Sequence, residues 1–171
     1  MVLAPTDLNY KLRVLNIYKE TIADGFGLRY SIYFAGCVHA CPGCHNQSSW
    51  SPRGGLLLTD KWLEEIIQEV NANPLLDGIT LSGGDPFYCP PELLRFLKAF
   101  KAKSNHTVWC YTGYCYEELL EDEQRKACLP CIDVLVDGRF EIDKFDPYLK
   151  FRGSSNQRII HLKNGQIDFI E

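Results

Sequence analysis

The stretch GCVHACPGCHNQSSW, residues 36–50, places three cysteines within eight positions of one another. Cys37, Cys41 and Cys44 have the short spacing that is typical of thiolate ligands to a metal centre. Glycine and proline between the cysteines allow the sharp turns that bring three sulfur atoms toward one point. The stretch therefore predicts a metal-binding loop.

Two kinds of metal centre fit three clustered cysteines. In the first, His39 or His45 supplies a fourth ligand and the site is a closed, structural zinc site. In the second, the three thiolates hold a [4Fe-4S] cluster and leave one iron without a protein ligand. An open coordination position is what a catalytic metal requires, because a substrate or cofactor must bind there. We favour the cluster on spacing and keep zinc as the alternative.

Strands and helices alternate along the chain. Strands are predicted, from their β-branched and aromatic residues, at 12–18, 29–34, 78–82, 106–112, 132–136, 157–163 and 166–170. Helices are predicted, from apolar periodicity, at 60–70, 91–100 and 116–127. Alternation of this kind predicts an α/β fold with a mainly parallel sheet. The strands are too few for a closed eight-stranded barrel, so we expect a partial (β/α) barrel, as a single domain over 1–171.

Glycine, cysteine and polar residues follow the predicted strands, each time just beyond the carboxyl end. Four such groups occur: Cys37, Gly83-Gly84-Asp85, Thr112-Gly113-Tyr114 and Asp137-Gly138-Arg139. The carboxyl ends of parallel strands meet at one edge of the sheet, where α/β proteins bind their ligands. We therefore expect these groups to line one pocket.

Composition excludes several classes of protein. The 171 residues carry a net charge of −4, which argues against nucleic-acid binding because a basic face is the usual requirement. No apolar run is long enough to span a membrane, and residues 1–14 lack the apolar core of a signal peptide. We therefore expect a cytoplasmic protein, in which eight cysteines indicate metal or redox chemistry rather than disulfides.

The CxxxCxxC loop after the first core strand resembles that of the radical S-adenosylmethionine (SAM) superfamily. SGGDPF, residues 82–87, is similar to that superfamily's GGE motif, with Asp85 in place of the usual glutamate. The resemblance implies that Cys37, Cys41 and Cys44 bind a [4Fe-4S] cluster whose open iron chelates SAM. It also implies reductive cleavage of SAM to a 5′-deoxyadenosyl radical, with Gly83, Gly84 and Asp85 holding the SAM ammonium.

Further motifs resemble one branch of the glycyl-radical activating enzymes, the branch that acts on anaerobic ribonucleoside-triphosphate reductase. They are ADGFGLR (23–29), TGY (112–114), VLVDGRF (134–140) and RGSSNQR (152–158). The resemblance implies a glycyl radical formed on the large reductase subunit, with a flavodoxin-like or other low-potential electron donor. Alternatives are an activase of another enzyme, such as pyruvate formate-lyase, a small-molecule enzyme such as 7-carboxy-7-deazaguanine synthase, or a non-enzymatic metal-binding module.

Other residues at the same edge are candidates for SAM contacts. Gly43 occupies the position where many radical SAM loops carry an aromatic that touches adenine, so His45 is the candidate for adenine packing. Asp137 and Arg139 are candidates for the ribose or carboxylate of SAM, with a surface ion pair as the alternative. The RGSSNQ turn, 152–157, is a candidate partner contact. The other cysteines are expected to be buried or incidental thiols.

Overall fold

The computed structural model describes residues 11–171 as a mixed α/β structure built on one eight-stranded sheet. Residues 1–10 lie outside the described residues. They make up most of the segment 1–14, which we predicted not to be a signal peptide. The strands are β1 (Arg13–Thr21), β2 (Arg29–Phe34), β3 (Leu56–Leu57), β4 (Gly78–Gly83), β5 (Thr107–Tyr111), β6 (Val134–Asp137), β7 (Arg158–Lys163) and β8 (Gln166–Ile170). The helices are α1 (Asp60–Ala72), α2 (Pro90–Lys103), α3 (Tyr116–Leu120) and α4 (Glu123–Lys126).

The strand order is β3-β1-β2-β4-β5-β6-β7-β8. The central strands β2, β4, β5 and β6 are parallel, whereas the pairs toward both edges are antiparallel. The expectation of a mainly parallel sheet was therefore wrong, because four of the seven pairings are antiparallel. For β1–β2 and β7–β8, the physical reason is that the connecting loops are too short for a crossover helix.

The first two helices begin within one residue of the predicted starts and run two to three residues beyond the predicted ends. Thr59 caps α1 by accepting a hydrogen bond from the backbone N–H of Trp62, and α2 begins with proline. The single helix predicted at 116–127 is instead α3 and α4. Asp122 separates them because its side chain accepts a hydrogen bond from Arg125 N at 2.9 Å and starts a new helix.

Apolar residues in register form the core on the helix-covered side of the sheet. One fully buried row crosses five strands: Ile32, Leu81, Cys110, Leu135 and Ile160. The opposite side is more polar and carries Ser31 and Thr80. Because the central strands are in parallel register, the loops after β2, β4 and β5 meet at their carboxyl edge.

No helix among residues 11–171 is long and apolar enough to cross a bilayer.

Candidate metal centre

The three-cysteine loop begins directly after β2 and is closed at its base. Gly36 N donates to Ser49 O at 2.8 Å, and Cys37 N donates to Trp50 O at 3.2 Å. Ala40 has a φ of 48°, in the left-handed region that an alanine rarely adopts. The loop is therefore held in a strained, specific shape, which is common at functional sites.

Backbone N–H groups face the sulfur atoms of this loop. Asn46 N donates to Cys44 Sγ at 3.4 Å. Burial raises the pKa of Cys37 to about 11, while hydrogen bonds from backbone groups of His39 and Ala40 act in the opposite direction. Burial likewise raises the pKa of Cys41. Hydrogen bonds to sulfur stabilise thiolates that bind iron–sulfur clusters, so the loop suits such a group once cationic iron displaces the protons.

The spacing of possible ligand atoms bears on the zinc alternative. Four ligands around one zinc ion at ordinary Zn–S lengths lie about 3.8 Å apart. Among residues 11–171, the one group of three or more possible ligand atoms within 4.8 Å of one another is Cys115, Glu117 and Asp137. The loop cysteines and histidines are therefore not gathered into a preformed single-ion site, and the choice between zinc and a cluster stays a prediction.

Asp85 lies directly behind the loop, with 1% of the residue exposed. Its Oδ2 is 2.6 Å from His39 Nε2, and Nε2 carries the proton because a carboxylate only accepts. The same oxygen accepts hydrogen bonds from Thr112 Oγ1 and Gly113 N, both at 3.0 Å. Oδ1 accepts from Phe87 N at 2.9 Å. The carboxylate is thus surrounded by donors from the chain itself.

The glycines before Asp85 let the end of β4 approach the loop. Gly83 has a φ of 102°, which favours glycine. Gly84 N donates to Phe34 O at 2.7 Å, and a Cβ on Gly84 would lie 2.3 Å from Gly36 O. Asn46 Nδ2 donates to Gly83 O at 3.5 Å. The predicted grouping of the three-cysteine loop with 83–85 is therefore present in the structure.

Asp137 and Arg139 lie at the end of β6 but have different partners. Asp137, 1% exposed, accepts hydrogen bonds from Arg158 Nε at 3.0 Å and Tyr116 N at 2.7 Å. Its carboxylate and that of Glu117 raise the pKa of the Arg158 guanidinium. Arg139 is exposed and lies 3.4 Å from Glu118. The two residues therefore do not form the ion pair with each other that we considered as the alternative.

The segment 138–157 contacts the three-cysteine loop, a contact that the sequence did not indicate. The exposed His45 ring lies 5.6 Å from that of Phe140 and 6.1 Å from that of Phe145. A Cβ on Gly43 would lie 2.9 Å from Ile142, so the absence of a side chain at 43 lets this segment close on the loop. The only sequence signal was the position of Phe140, just after VLVDGR.

The RGSSNQ turn is tied inward by Gln157. Its Oε1 accepts hydrogen bonds from Gly153 N at 2.9 Å and Ser154 N at 3.1 Å, and its Nε2 donates to Gly138 O at 3.0 Å. Arg152 donates to Gln157 O at 2.9 Å. The turn therefore stiffens the segment that packs on the three-cysteine loop, and its contact with a partner stays a prediction.

A cleft of about 640 Å³ opens beside the loop. Its lining includes Asn46 and Ser48 from the loop, and Asp24 and Tyr33, whose hydroxyl donates to Asp24 Oδ2 at 2.7 Å. Cavities of this size hold cofactors and small ligands. The cleft therefore offers space for a ligand between β1 and the last part of the loop, after Cys44.

Comparison with known proteins agrees with this geometry. A family model described as a 4Fe-4S single cluster domain matches residues 23–160. The anaerobic ribonucleoside-triphosphate reductase-activating protein of Haemophilus influenzae is 41% identical over 154 residues, covering 88% of this chain and 97% of its own. The Escherichia coli protein of the same name is 39% identical (85% and 96% covered), and that of Enterobacteria phage T4 is 35% identical (84% and 90% covered). The chain therefore belongs to the 4Fe-4S single cluster domain family and to the family of anaerobic ribonucleoside-triphosphate reductase-activating proteins.

Proposed function

We propose that this protein is a radical SAM activase that generates a glycyl radical on anaerobic ribonucleoside-triphosphate reductase. One observation carries the proposal: a three-cysteine loop with donors at its sulfur atoms lies against the Gly83-Gly84-Asp85 strand end. The names of the relatives support the same target. In this proposal the central parallel strands form the partial barrel of a radical SAM fold, with the loop at its carboxyl edge.

Cys37, Cys41 and Cys44 are the proposed cluster ligands. When bound, the reduced cluster and SAM supply a carbon radical that removes a hydrogen atom from a backbone glycine. The loop residues hold the three thiolates, and the segment 138–157 packs against the loop near Gly43 and His45. That packing places apolar and aromatic side chains beside the loop, whose three cysteines stay partly exposed.

SAM is proposed to bind between the Gly83-Gly84 strand end and the cleft that begins at Asn46. Backbone carbonyl oxygens of the strand end suit an ammonium group. The Asp85 carboxylate does not fit direct contact with it, because its oxygens already accept four hydrogen bonds. Its negative charge still favours a cation nearby.

Three further residues have proposed contacts with SAM. Arg139 is exposed and would exchange its contact with Glu118, at 3.4 Å, for the SAM carboxylate, whereas Asp137 already pairs with Arg158 and would reach SAM only through rearrangement. His45 is exposed and is proposed to pack near adenine. The electron donor is proposed to be a flavodoxin-like protein or another low-potential donor.

The test is electron paramagnetic resonance on the large reductase subunit after anaerobic incubation with reduced protein and SAM. The proposal predicts a glycyl doublet with wild-type protein and with Cys131→Ser, and none with Cys41→Ala. If no doublet forms although the wild-type cluster is fully reduced and SAM is bound, this reductase is not the substrate. A doublet on pyruvate formate-lyase instead would move the target to that enzyme.

A further inference from the structure

Asp85 bonds to the three-cysteine loop on both sides of Cys37. Its backbone N–H donates to Gly36 O at 2.8 Å, and its carboxylate accepts from the His39 ring at 2.6 Å. Cys37 lies between Gly36 and His39 in the chain. One residue at the end of β4 therefore fixes the backbone before this cysteine and the side chain after it.

Residues that follow β4 and β5 confine the His39 ring. Its side chain is 3% exposed, and its ring meets that of Tyr114 edge-on at 4.5 Å. A Cβ on Gly113 would lie 2.3 Å from His39 Cδ2, so the ring packs directly on backbone. This packing leaves the imidazole one position, with Nε2 directed at Asp85 and away from a ligand role in the loop.

The same carboxylate joins this ring to the next strand. Oδ2 also accepts from Thr112 and Gly113, which follow β5, while Oδ1 accepts from Phe87 N. Oδ2 therefore takes three donors, counting His39, and Oδ1 takes one, so the oxygen that faces the loop and β5 has no acceptor position left. A buried carboxylate held by four donors from three segments is rigidly placed, because losing a partner weakens the compensation of its charge.

We propose that Asp85 and His39 form a positioning pair that fixes the three-cysteine loop on the ends of β4 and β5. Asp85 then acts on the cluster through the loop rather than by binding the SAM ammonium itself. The inference rests on the proposed function, since it assumes that the loop holds a cluster. Residues that orient metal ligands in this way typically contribute about 10- to 100-fold in metal affinity.

The test measures the rate at which reconstituted protein loses iron to an excess of ferrous chelator under anaerobic conditions. His39→Ala and Asp85→Asn should each accelerate iron loss about 10- to 100-fold. The double variant should be no faster than the faster single variant, because both changes remove one shared interaction. His39→Gln, whose amide nitrogen can occupy the place of Nε2, should restore much of the wild-type rate.

Two controls separate positioning from general stability. Ser104→Ala removes another buried hydrogen bond, the one between Ser104 Oγ and His106 Nδ1 after α2, and should leave the rate of iron loss unchanged. Far-UV circular dichroism on each variant reports folding, and should His39→Ala fail to fold, His39→Gln and Asp85→Asn still give the comparison. The cluster's paramagnetic g values should change in His39→Ala, since a displaced thiolate alters the cluster's surroundings.

Several outcomes would overturn the inference. One is wild-type iron retention in folded His39→Ala, and another is strictly additive effects of the two single changes. A third is reduced SAM affinity in Asp85→Asn with unchanged iron retention, which would place the carboxylate at the cofactor. If the wild-type protein binds no cluster at all, the proposed function fails first, and that result is distinct from these.

Discussion

The thiols of the three-cysteine loop and those of the sheet's core are the same chemical group in two different regions. Cys37, Cys41 and Cys44 are partly exposed on a loop. Cys110 and Cys128 are fully buried among apolar side chains, and burial raises the pKa of Cys128 to about 12. The comparison indicates that a thiol is suited to bind iron where backbone N–H groups face its sulfur and where it is partly exposed. The number of cysteines in a region does not decide this.

The largest expected effect comes from removing a loop thiol. Cys37→Ala, Cys41→Ala and Cys44→Ala should each abolish the iron–sulfur absorbance, because a cluster with two protein ligands is not retained. Iron analysis after anaerobic reconstitution measures this. The matched control, Cys128→Ser with Cys131→Ser, should keep the wild-type iron content. Loss of iron in that control would reveal a second cluster and end the contrast between the two regions.

A smaller effect is expected from crowding the back of the loop. In Gly113→Ala the new methyl group would lie 2.3 Å from the His39 ring, so the ring must move and loosen the loop. Iron should be lost to a chelator roughly tenfold faster than from the wild type. Tyr114→Phe keeps the neighbouring ring and removes only its hydroxyl, so it should match the wild type. Equal rates for Gly113→Ala and Tyr114→Phe would contradict the link between β5 and the loop.

Stability rather than iron binding should change when the acid at the end of β6 is altered. Asp137→Asn removes the charge that Arg158 faces and should lower the free energy of unfolding by about 1–3 kcal/mol. Denaturant unfolding of the apoprotein measures the effect, with iron content as the companion measurement. A fall in SAM affinity at unchanged stability would instead return Asp137 to the cofactor site.

The smallest effect is expected at the buried thiol Cys128. Its raised pKa means that the thiolate is about one part in ten thousand at pH 8, so alkylation by iodoacetamide should be very slow. The rate should rise as pH approaches 12, as long as the protein stays folded. Mass spectrometry of peptides resolves this site from the partly exposed Cys115. Rapid labelling of Cys128 at pH 8 would show that the core opens near this residue.

Much of the fold could be predicted because its central elements have clear patterns. Strand β2 was predicted with its observed bounds, and the strands predicted at 157–163 and 166–170 pair with each other as β7 and β8. The edge strand β3 was missed, because two exposed residues, Leu56 and Leu57, carry no alternation. The antiparallel pairings of β1 with β2 and of β6 with β7 were also missed, since strand signals do not show direction.

The sequence predicted which residues belong to the site, but not which of them contact one another. Motif spacing and strand order predicted that Cys37 and Asp85 lie at one edge of the sheet, and the structure places them there. The hydrogen bonds from the His39 ring and the Gly113 backbone N–H to the Asp85 carboxylate could not be predicted from the sequence, because the partners are 46 and 28 residues apart. The packing of the segment 138–157 over Gly43 could not be predicted from the sequence for the same reason.

The central claim is that three loop thiolates hold a cluster with one iron left open to SAM. The most direct measurement is electron paramagnetic resonance of the reduced protein, recorded before and after SAM is added without any partner. The account predicts a [4Fe-4S] signal whose g values shift on SAM addition, and the same shift in Cys128→Ser. Unchanged g values at saturating SAM, with full iron content, would contradict it.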